Sequence, residues 1–123
     1  MAARKKILLV DNHPDAAGSL AAVLRAMGHE VLPVTDPREA LRSAKHFGPH
    51  LALLDLSMPY VDGYALANMF RGDEATARIP LVALTAYGDD GHRAKAKEAG
   101  FHSYVVKPPN HVTLRGIIDQ LDA

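Results

Sequence analysis

The sequence has no cysteine and no tryptophan, and only 6% of its 123 residues are aromatic. Without cysteine there is no disulfide framework and no thiolate chemistry, which suits a reducing compartment. Neither sign of charge is in excess, because 14 basic residues balance 14 acidic ones. The chain therefore has no overall field that would attract nucleic acid or an anionic membrane, and its function must come from a local site.

The sequence also lacks a long apolar run. The run ILLV at 7–10 is too short for the core of a signal peptide, and an acid follows it directly. No window holds the roughly 20 apolar residues that a membrane helix needs. We therefore expect a cytoplasmic protein that forms one domain over 1–123, with a hydrophobic content of 48% that is sufficient for a core.

Two kinds of apolar segment alternate along the chain. Short continuous runs predict buried strands, which occupy 7–10, 30–34, 51–56, 79–86 and 103–106. Helical spacing of apolar residues predicts five further segments, the fourth over 93–100, with ends near Gly28, Gly48, Gly72, Gly100 and Leu121. Pro33 places the second strand at an edge of the sheet, because proline cannot donate a ladder hydrogen bond.

Five strand–helix units in strict alternation predict an α/β fold, a doubly wound parallel sheet with helices on both faces. The second helix should have Asp36 as its N-cap, Pro37 in its first turn and Glu39 as a capping-box partner. The stretch 72–79 is interpreted as an ordinary solvated connection. The seven scattered histidines are interpreted as solvated side chains. For His13, just after the first strand, a loop histidine is the default, and contact with a site at the end of that strand is the alternative.

Polar side chains stand where the predicted strands end. In chain order they are Asp11 with Asn12, then Asp55, Thr85 and Lys107. Each alone has an ordinary explanation as a turn, cap, strand or solvated residue. In a parallel sheet, however, ligands bind outside the carboxyl ends of the strands, and all these groups meet at that edge. Their coincidence predicts a functional site.

The chemistry that these groups permit is narrow. Two carboxylates about 5 Å apart repel by roughly 3 kcal/mol at an effective dielectric near 20, so the site invites a cation. Oxygen ligands without histidine or thiolate favour Mg²⁺ or Mn²⁺ over zinc. A hydroxyl and an ammonium suit a phosphoryl group. Asp55 would then be the nucleophile of aspartyl-phosphate chemistry.

Four motifs, in this order and at these spacings, make the sequence resemble the receiver domain of two-component response regulators over about 5–122. They are ILLVDN at 7–12, LLDLSMPYVDG at 53–63, LTA at 84–86 and YVVKP at 104–108. The resemblance implies a flavodoxin-like, CheY-like fold with strand order 2-1-3-4-5. It also implies a phosphorelay, in which a histidine kinase or histidine phosphotransfer protein passes phosphate to the receiver and a downstream protein responds.

The resemblance implies a role for each polar residue of the site. Asp55 would be the phosphoacceptor, and Thr85 and Lys107 would bind the phosphoryl oxygens. Mg²⁺ would be held by Asp11, Asn12, Asp55 and the backbone carbonyl of Ser57.

The resemblance also implies a switch. Tyr104 matches the aromatic residue whose rotamer reports the state of Thr85, and the two would couple the phosphate to the fourth helix, fifth strand and fifth helix. Ala86 matches the small residue that leaves the pocket open, and Pro108 commonly follows a cis peptide bond in the family. Tyr87 would shield the acyl phosphate.

One departure from the family pattern concerns Asn12. The family usually has two adjacent acids after the first strand, whereas here Asn12 follows Asp11. An amide still offers a carbonyl oxygen, but the loss of one negative charge would weaken Mg²⁺ binding or slow phosphotransfer. A degenerate receiver that binds proteins without phosphate is the alternative that this residue supports.

Enzymes of similar fold fit the sequence poorly. A phosphatase of the haloacid-dehalogenase type needs a second acid two residues after its nucleophile, where Ser57 stands. A flavodoxin-like nucleotide binder needs a phosphate-binding loop after the first strand, and NHPD at 12–15 is not one. We therefore expect no enzymatic activity beyond self-phosphorylation and slow autodephosphorylation, and no contact with nucleic acid or membrane.

Overall fold

The computed structural model describes residues 4–58, 61–86 and 90–121. Five strands form one parallel sheet in the order β2-β1-β3-β4-β5. They are β1 (Lys6–Val10), β2 (Glu30–Val34), β3 (Leu51–Asp55), β4 (Leu81–Thr85) and β5 (Ser103–Val106). β2 lies at one end of this order, so Pro33 is on an edge strand as predicted.

Five helices cover the two faces of the sheet. They are α1 (Pro14–Ala26), α2 (Ala40–Phe47), α3 (Gly63–Gly72), α4 (Asp90–Glu98) and α5 (His111–Gln120). α1 and α5 contribute to one core, and α2, α3 and α4 contribute to the other. The doubly wound fold is therefore confirmed. In the described parts of the chain, no helix has the length and apolar character that crossing a membrane requires.

The inner strands are buried on both faces of the sheet. Successive side chains of a strand point to opposite faces, so Leu8 belongs to the core with Phe70, and Leu9 belongs to the core with Leu24. All four side chains are fully buried. Each contributes roughly 1.5–3 kcal/mol relative to an exposed position. Burial on both sides explains why these strands are continuous apolar runs in the sequence.

Two strands and one helix have bounds that differ from the prediction. The third strand ends at Asp55 rather than at residue 56. The fourth strand ends at Thr85. It begins only at Leu81, because Ile79 belongs to the preceding turn and donates its amide to the carbonyl of Thr76. α4 begins earlier than predicted and ends at Glu98, before Gly100, whose φ of +94° turns the chain.

The start of the second helix also differs. A 3₁₀ turn over Pro37–Glu39 comes first, and α2 begins at Ala40. Asp36 caps this turn, and its carboxylate accepts hydrogen bonds from the backbone amide and the guanidinium of Arg38 at 2.9 and 3.0 Å. Asp36 is therefore an N-cap as predicted, but it caps a 3₁₀ turn that precedes α2 rather than α2 itself.

The connection 72–79 is not an ordinary solvated loop, which corrects the prediction. Thr76 is fully buried, and its hydroxyl donates to the carbonyl of Phe70 at 2.7 Å. The guanidinium of Arg71 donates to three backbone carbonyls at 2.8–2.9 Å, those of Ala77, Ile79 and Gly100. Because Arg presents several donors in a fixed planar geometry, one side chain joins α3, this connection and the turn before β5.

The interpretation of all seven histidines as solvated is wrong for His29. This residue is only 7% exposed, and its Nδ1 accepts a hydrogen bond from the amide of Lys5 at 3.1 Å. His50 accepts in the same way from the amide of Lys6 at 2.8 Å. Both rings satisfy backbone amides at the start of β1, which need partners where the strand enters the core.

Candidate functional site

The register of the sheet places Asp11 beside Asp55. Val10 lies opposite Leu54 in the parallel pairing of β1 with β3, so the next residue along each chain is an aspartate. Asp11 is 2% exposed and Asp55 is 1% exposed. Two acidic side chains are thus held close together away from solvent by strands whose apolar residues fix their positions.

The same register adds Thr85 and Lys107. Asp55 lies opposite Leu84, and Thr85 follows as the last residue of β4, with 2% exposure. Thr85 lies opposite Val106, and the amide of Lys107 donates to the carbonyl of Thr85 at 2.7 Å. Four strands therefore deliver the predicted polar residues to one edge of the sheet.

Lys107 bridges the two aspartates. Its Nζ lies 2.8 Å from Oδ2 of Asp55 and 3.4 Å from Oδ2 of Asp11. Burial lowers the pKa of Lys107, but the hydrogen bond and charge of Asp55, followed by those of Asp11, raise this pKa above its ordinary value. The ammonium is therefore charged at neutral pH. One positive charge faces two carboxylates, so the site has an excess of negative charge.

The other carboxylate oxygens meet backbone amides. Oδ1 of Asp55 accepts from the amide of Ser57 at 2.9 Å, and Oδ1 of Asp11 accepts from the amide of His13 at 3.0 Å. The ring of His13 also lies against Asp11, with Nδ1 at 3.3 Å from Oδ1. Its position two residues after Asp11 was the available sequence signal, and the default interpretation of His13 as a loop residue gives way to the alternative of a contact with the site.

The contacts of Asp11 favour its charged form. Burial raises the pKa of this carboxyl, but the backbone hydrogen bond from His13, the charge of Lys107 and the His13 ring outweigh it. The pKa of Asp11 therefore lies below its ordinary value. An ionised Asp11 is the form that binds a cation.

Asn12 and His13 complete the donor set around the two acids. Asp11, His13 and Asp55 each offer one ligand atom, and these atoms lie within 4.8 Å of one another. Oδ1 of Asn12 is buried and has no hydrogen-bond partner among the described residues. A buried amide oxygen without a partner is costly, and a cation would satisfy it. The residues present therefore fit a divalent metal ion.

Tyr104, the residue of the predicted switch, lies opposite Ala83 on the strand that ends in Thr85. Tyr104 on β5 is half-buried, and its buried hydroxyl has no hydrogen-bond partner in the described part of the chain. The guanidinium of Arg93 on α4 lies 5.1 Å from the centre of the Tyr104 ring. The Lys107–Pro108 peptide bond is cis, as the resemblance implied. Ala86 is exposed, and Tyr87 lies outside the described residues.

Gly63 allows α3 to begin directly against the strand that carries Asp55. Asp62 caps the helix by accepting from the amide of Ala65 at 2.8 Å. A Cβ atom on Gly63 would lie 2.6 Å from the carbonyl oxygen of Asp55 and 2.7 Å from Cα of Leu56. Both distances are shorter than side chains tolerate. Sequence reasoning identified the Asp-Gly pair only as part of a motif and missed this packing reason.

The sequence model described as response regulator receiver domain matches residues 7–119. This chain belongs to the response regulator receiver domain family. The fold and the family that were predicted from the sequence are thereby confirmed.

Relatives and solved structures agree with this assignment. The DNA-binding response regulator MtrA of Mycolicibacterium smegmatis is 35% identical over 105 residues, which are 85% of this chain and 45% of that protein. The receiver domain of a sensor histidine kinase of Pseudomonas aeruginosa, solved with magnesium in its active site cleft, is 34% identical with a TM-score of 0.86, over 97% of this chain and 98% of that one. Chemotaxis protein CheY4 of Vibrio cholerae is 26% identical with a TM-score of 0.88, over 97% and 99% of the two chains. This receiver spans less than half the length of the first six curated relatives that it matches.

We predict that Gly63→Ala destabilises this receiver by about 1–3 kcal/mol or more, because the new methyl group has no space against the backbone of Asp55 and Leu56. Gly116→Ala is the matched control, since nothing lies within 4 Å of a Cβ at that position on α5. Urea unfolding of both variants measures the difference. The control should gain roughly 0.5–1 kcal/mol from improved helix propensity. Equal stability of the two variants would contradict the close packing at Gly63.

Proposed function

We propose that this receiver accepts a phosphoryl group on Asp55 from a histidine kinase or a histidine phosphotransfer protein. The observation that carries the proposal is the 2.8 Å contact between Nζ of Lys107 and Oδ2 of Asp55, with Asp11 on the same ammonium. The carboxylate of Asp55 is thus oriented through both of its oxygens, because the amide of Ser57 donates to Oδ1. Membership in the receiver family supports the same role.

The transfer forms one bond and breaks one bond. An oxygen of Asp55 attacks the phosphorus of a phosphohistidine on the partner, so that an O–P bond forms while the N–P bond breaks. The electron pair of the broken bond stays on the imidazole nitrogen, which takes a proton from solvent. Phosphoryl transfer depends mainly on positioning and charge neutralisation, and Lys107 supplies a fixed positive charge at the receiving oxygen.

Mg²⁺ is the cofactor that we propose for this step. Asp11, Asp55, the amide oxygen of Asn12 and the backbone carbonyl of Ser57 would hold it, and when bound it would neutralise charge on the phosphoryl oxygens. Oδ1 of Asn12 is buried and has no hydrogen-bond partner in the described part of the chain, which supports this assignment. The hydroxyl of Thr85, at the end of the neighbouring strand, would bind the phosphoryl group after transfer.

We propose no activity on an external substrate beyond this exchange. The chain would act as phosphoacceptor and lose the phosphate slowly by its own hydrolysis. The alternative is a degenerate receiver that binds proteins without phosphate, which Asn12 favours because it replaces an acid. The pairing of Asp55 with Lys107 favours the phosphoacceptor, since a binding module has no need of a buried acid with an oriented ammonium.

The phosphoacceptor role predicts a mass change. With acetyl phosphate and Mg²⁺, intact-mass spectrometry should show that wild-type protein gains one phosphoryl group, whereas Asp55→Asn gains none. Asp15→Asn is the matched control, because Asp15 is an exposed carboxylate close to the site in sequence and should leave the gain unchanged. Phosphorylation of Asp55→Asn at the wild-type level would show that the acceptor is another residue. No gain on the wild type would favour the degenerate receiver.

The proposed output is a change in the surface formed by α4, β5 and α5. Thr85 is buried beside the acceptor, and β5 carries Tyr104 next to the strand that ends in Thr85. The Tyr104 ring in turn contacts Arg93 of α4, so a rotation of this ring would alter the α4 surface. The phosphate would shift the population between two arrangements of Tyr104 only if it interacts better with one of them.

This switch predicts a pattern of amide shifts. Beryllofluoride with Mg²⁺, a mimic of the phosphoryl group, should move amide resonances across 90–106 in the wild type. Thr85→Ser keeps the hydroxyl and should preserve these distant shifts, whereas Thr85→Val should lose them and retain only the shifts next to Asp55. A wild-type response confined to residues adjoining Asp55 would contradict the switch.

A further inference from the structure

His13 stands in a position that its role as a helix cap does not explain. It is the N-cap residue of α1, yet its side chain makes no capping hydrogen bond. Asn, Asp, Ser and Thr are the residues that usually cap helices through their side chains. The ring of His13 instead lies with Nδ1 at 3.3 Å from Oδ1 of Asp11, and two thirds of the side chain is exposed.

The carboxylate oxygens of the site contact two different side chains. Lys107 takes Oδ2 of both Asp11 and Asp55, whereas Oδ1 of Asp11 faces His13. Oδ1 of Asp11 accepts from the backbone amide of His13 and faces the His13 ring, so a turn of that ring towards an ion would free one lone pair of this oxygen. The ligand atoms of Asp11, His13 and Asp55 lie within 4.8 Å of one another, a separation that a single ion can span.

We propose that His13 is a nitrogen ligand of this metal site and makes it bind a divalent transition-metal ion through Asp11, Asp55 and His13. The inference rests on the metal site of the proposed function. Mg²⁺ is a hard cation that takes oxygen ligands, so it gains nothing from an imidazole. Transition-metal ions bind imidazole nitrogen well, and in a mixed nitrogen and oxygen site Co²⁺ and Ni²⁺ bind more tightly than Mn²⁺. Asn12 stands where the family usually has an acid, so the oxygen ligands attract a cation less strongly. The imidazole nitrogen of His13 then contributes more to the choice between metal ions.

The test measures binding of two ions by the untagged protein. Co²⁺ is titrated by its visible absorption, and Mg²⁺ by its stabilisation of the fold in thermal melts. His13→Gln should weaken Co²⁺ binding by roughly tenfold or more while it leaves Mg²⁺ binding within about twofold of the wild type. His46→Gln is the matched control, because His46 is exposed on α2, and it should change neither affinity. Circular dichroism confirms that each variant is folded.

Three results would overturn the inference. Wild-type Co²⁺ affinity in His13→Gln would show that the ring is not a ligand. An equal loss of Co²⁺ and Mg²⁺ binding would show that His13 acts through Asp11 rather than as a nitrogen donor. A loss in His46→Gln as large as that in His13→Gln would assign the Co²⁺ to surface histidines. Asp55→Asn separates the two proposals, because undiminished binding of both ions would instead contradict the metal site itself.

Discussion

The shared contact of Lys107 with Asp55 and Asp11 is the interaction on which the site depends. Two unit charges about 5 Å apart repel by roughly 3 kcal/mol at an effective dielectric near 20, and the strands hold these carboxylates close together without freedom to separate. The single ammonium balances one of them. The amide hydrogen bonds from Ser57 and His13 offset part of the remaining negative charge. The rest favours a divalent cation at the site.

The fold supplies the geometry that keeps this charge in place. Apolar residues of β1 and β3 are buried on both faces, and their register sets the two acids side by side. Gly63 lets α3 begin directly against the backbone of Asp55 and Leu56. At the opposite end of the sheet, Arg71 ties α3 to the turn before β5. The acids at the strand ends are buried, whereas the ring of His13 is exposed and the ring of Tyr104 is half-buried.

Most of the fold could be predicted because its signals are local. Continuous apolar runs mark strands buried on both faces, and glycines follow the ends of α1, α2 and α4. The proline in β2 indicated an edge strand, and the polar residues at the strand ends indicated that Asp11, Asp55, Thr85 and Lys107 meet. The errors concern partners that are distant in sequence. Arg71 binds Gly100, and His29 accepts from Lys5, and neither pairing leaves a periodic pattern in the residues around it. The proximity of the His13 ring to Asp11 depends on a rotamer, which composition and spacing do not specify.

Unfolding of Asp55→Asn in EDTA tests the excess of buried negative charge most directly. Removing one partner of a buried ion pair usually destabilises a protein. In Asp55→Asn, however, Lys107 retains its contact with Asp11, so that one ammonium faces one carboxylate. The account predicts that Asp55→Asn is more stable than wild type by about 1 kcal/mol or more in EDTA, and that millimolar Mg²⁺ stabilises the wild type more than the variant. A variant that is less stable than wild type in EDTA would contradict the account, because Asp55 would then be a net stabilising charge.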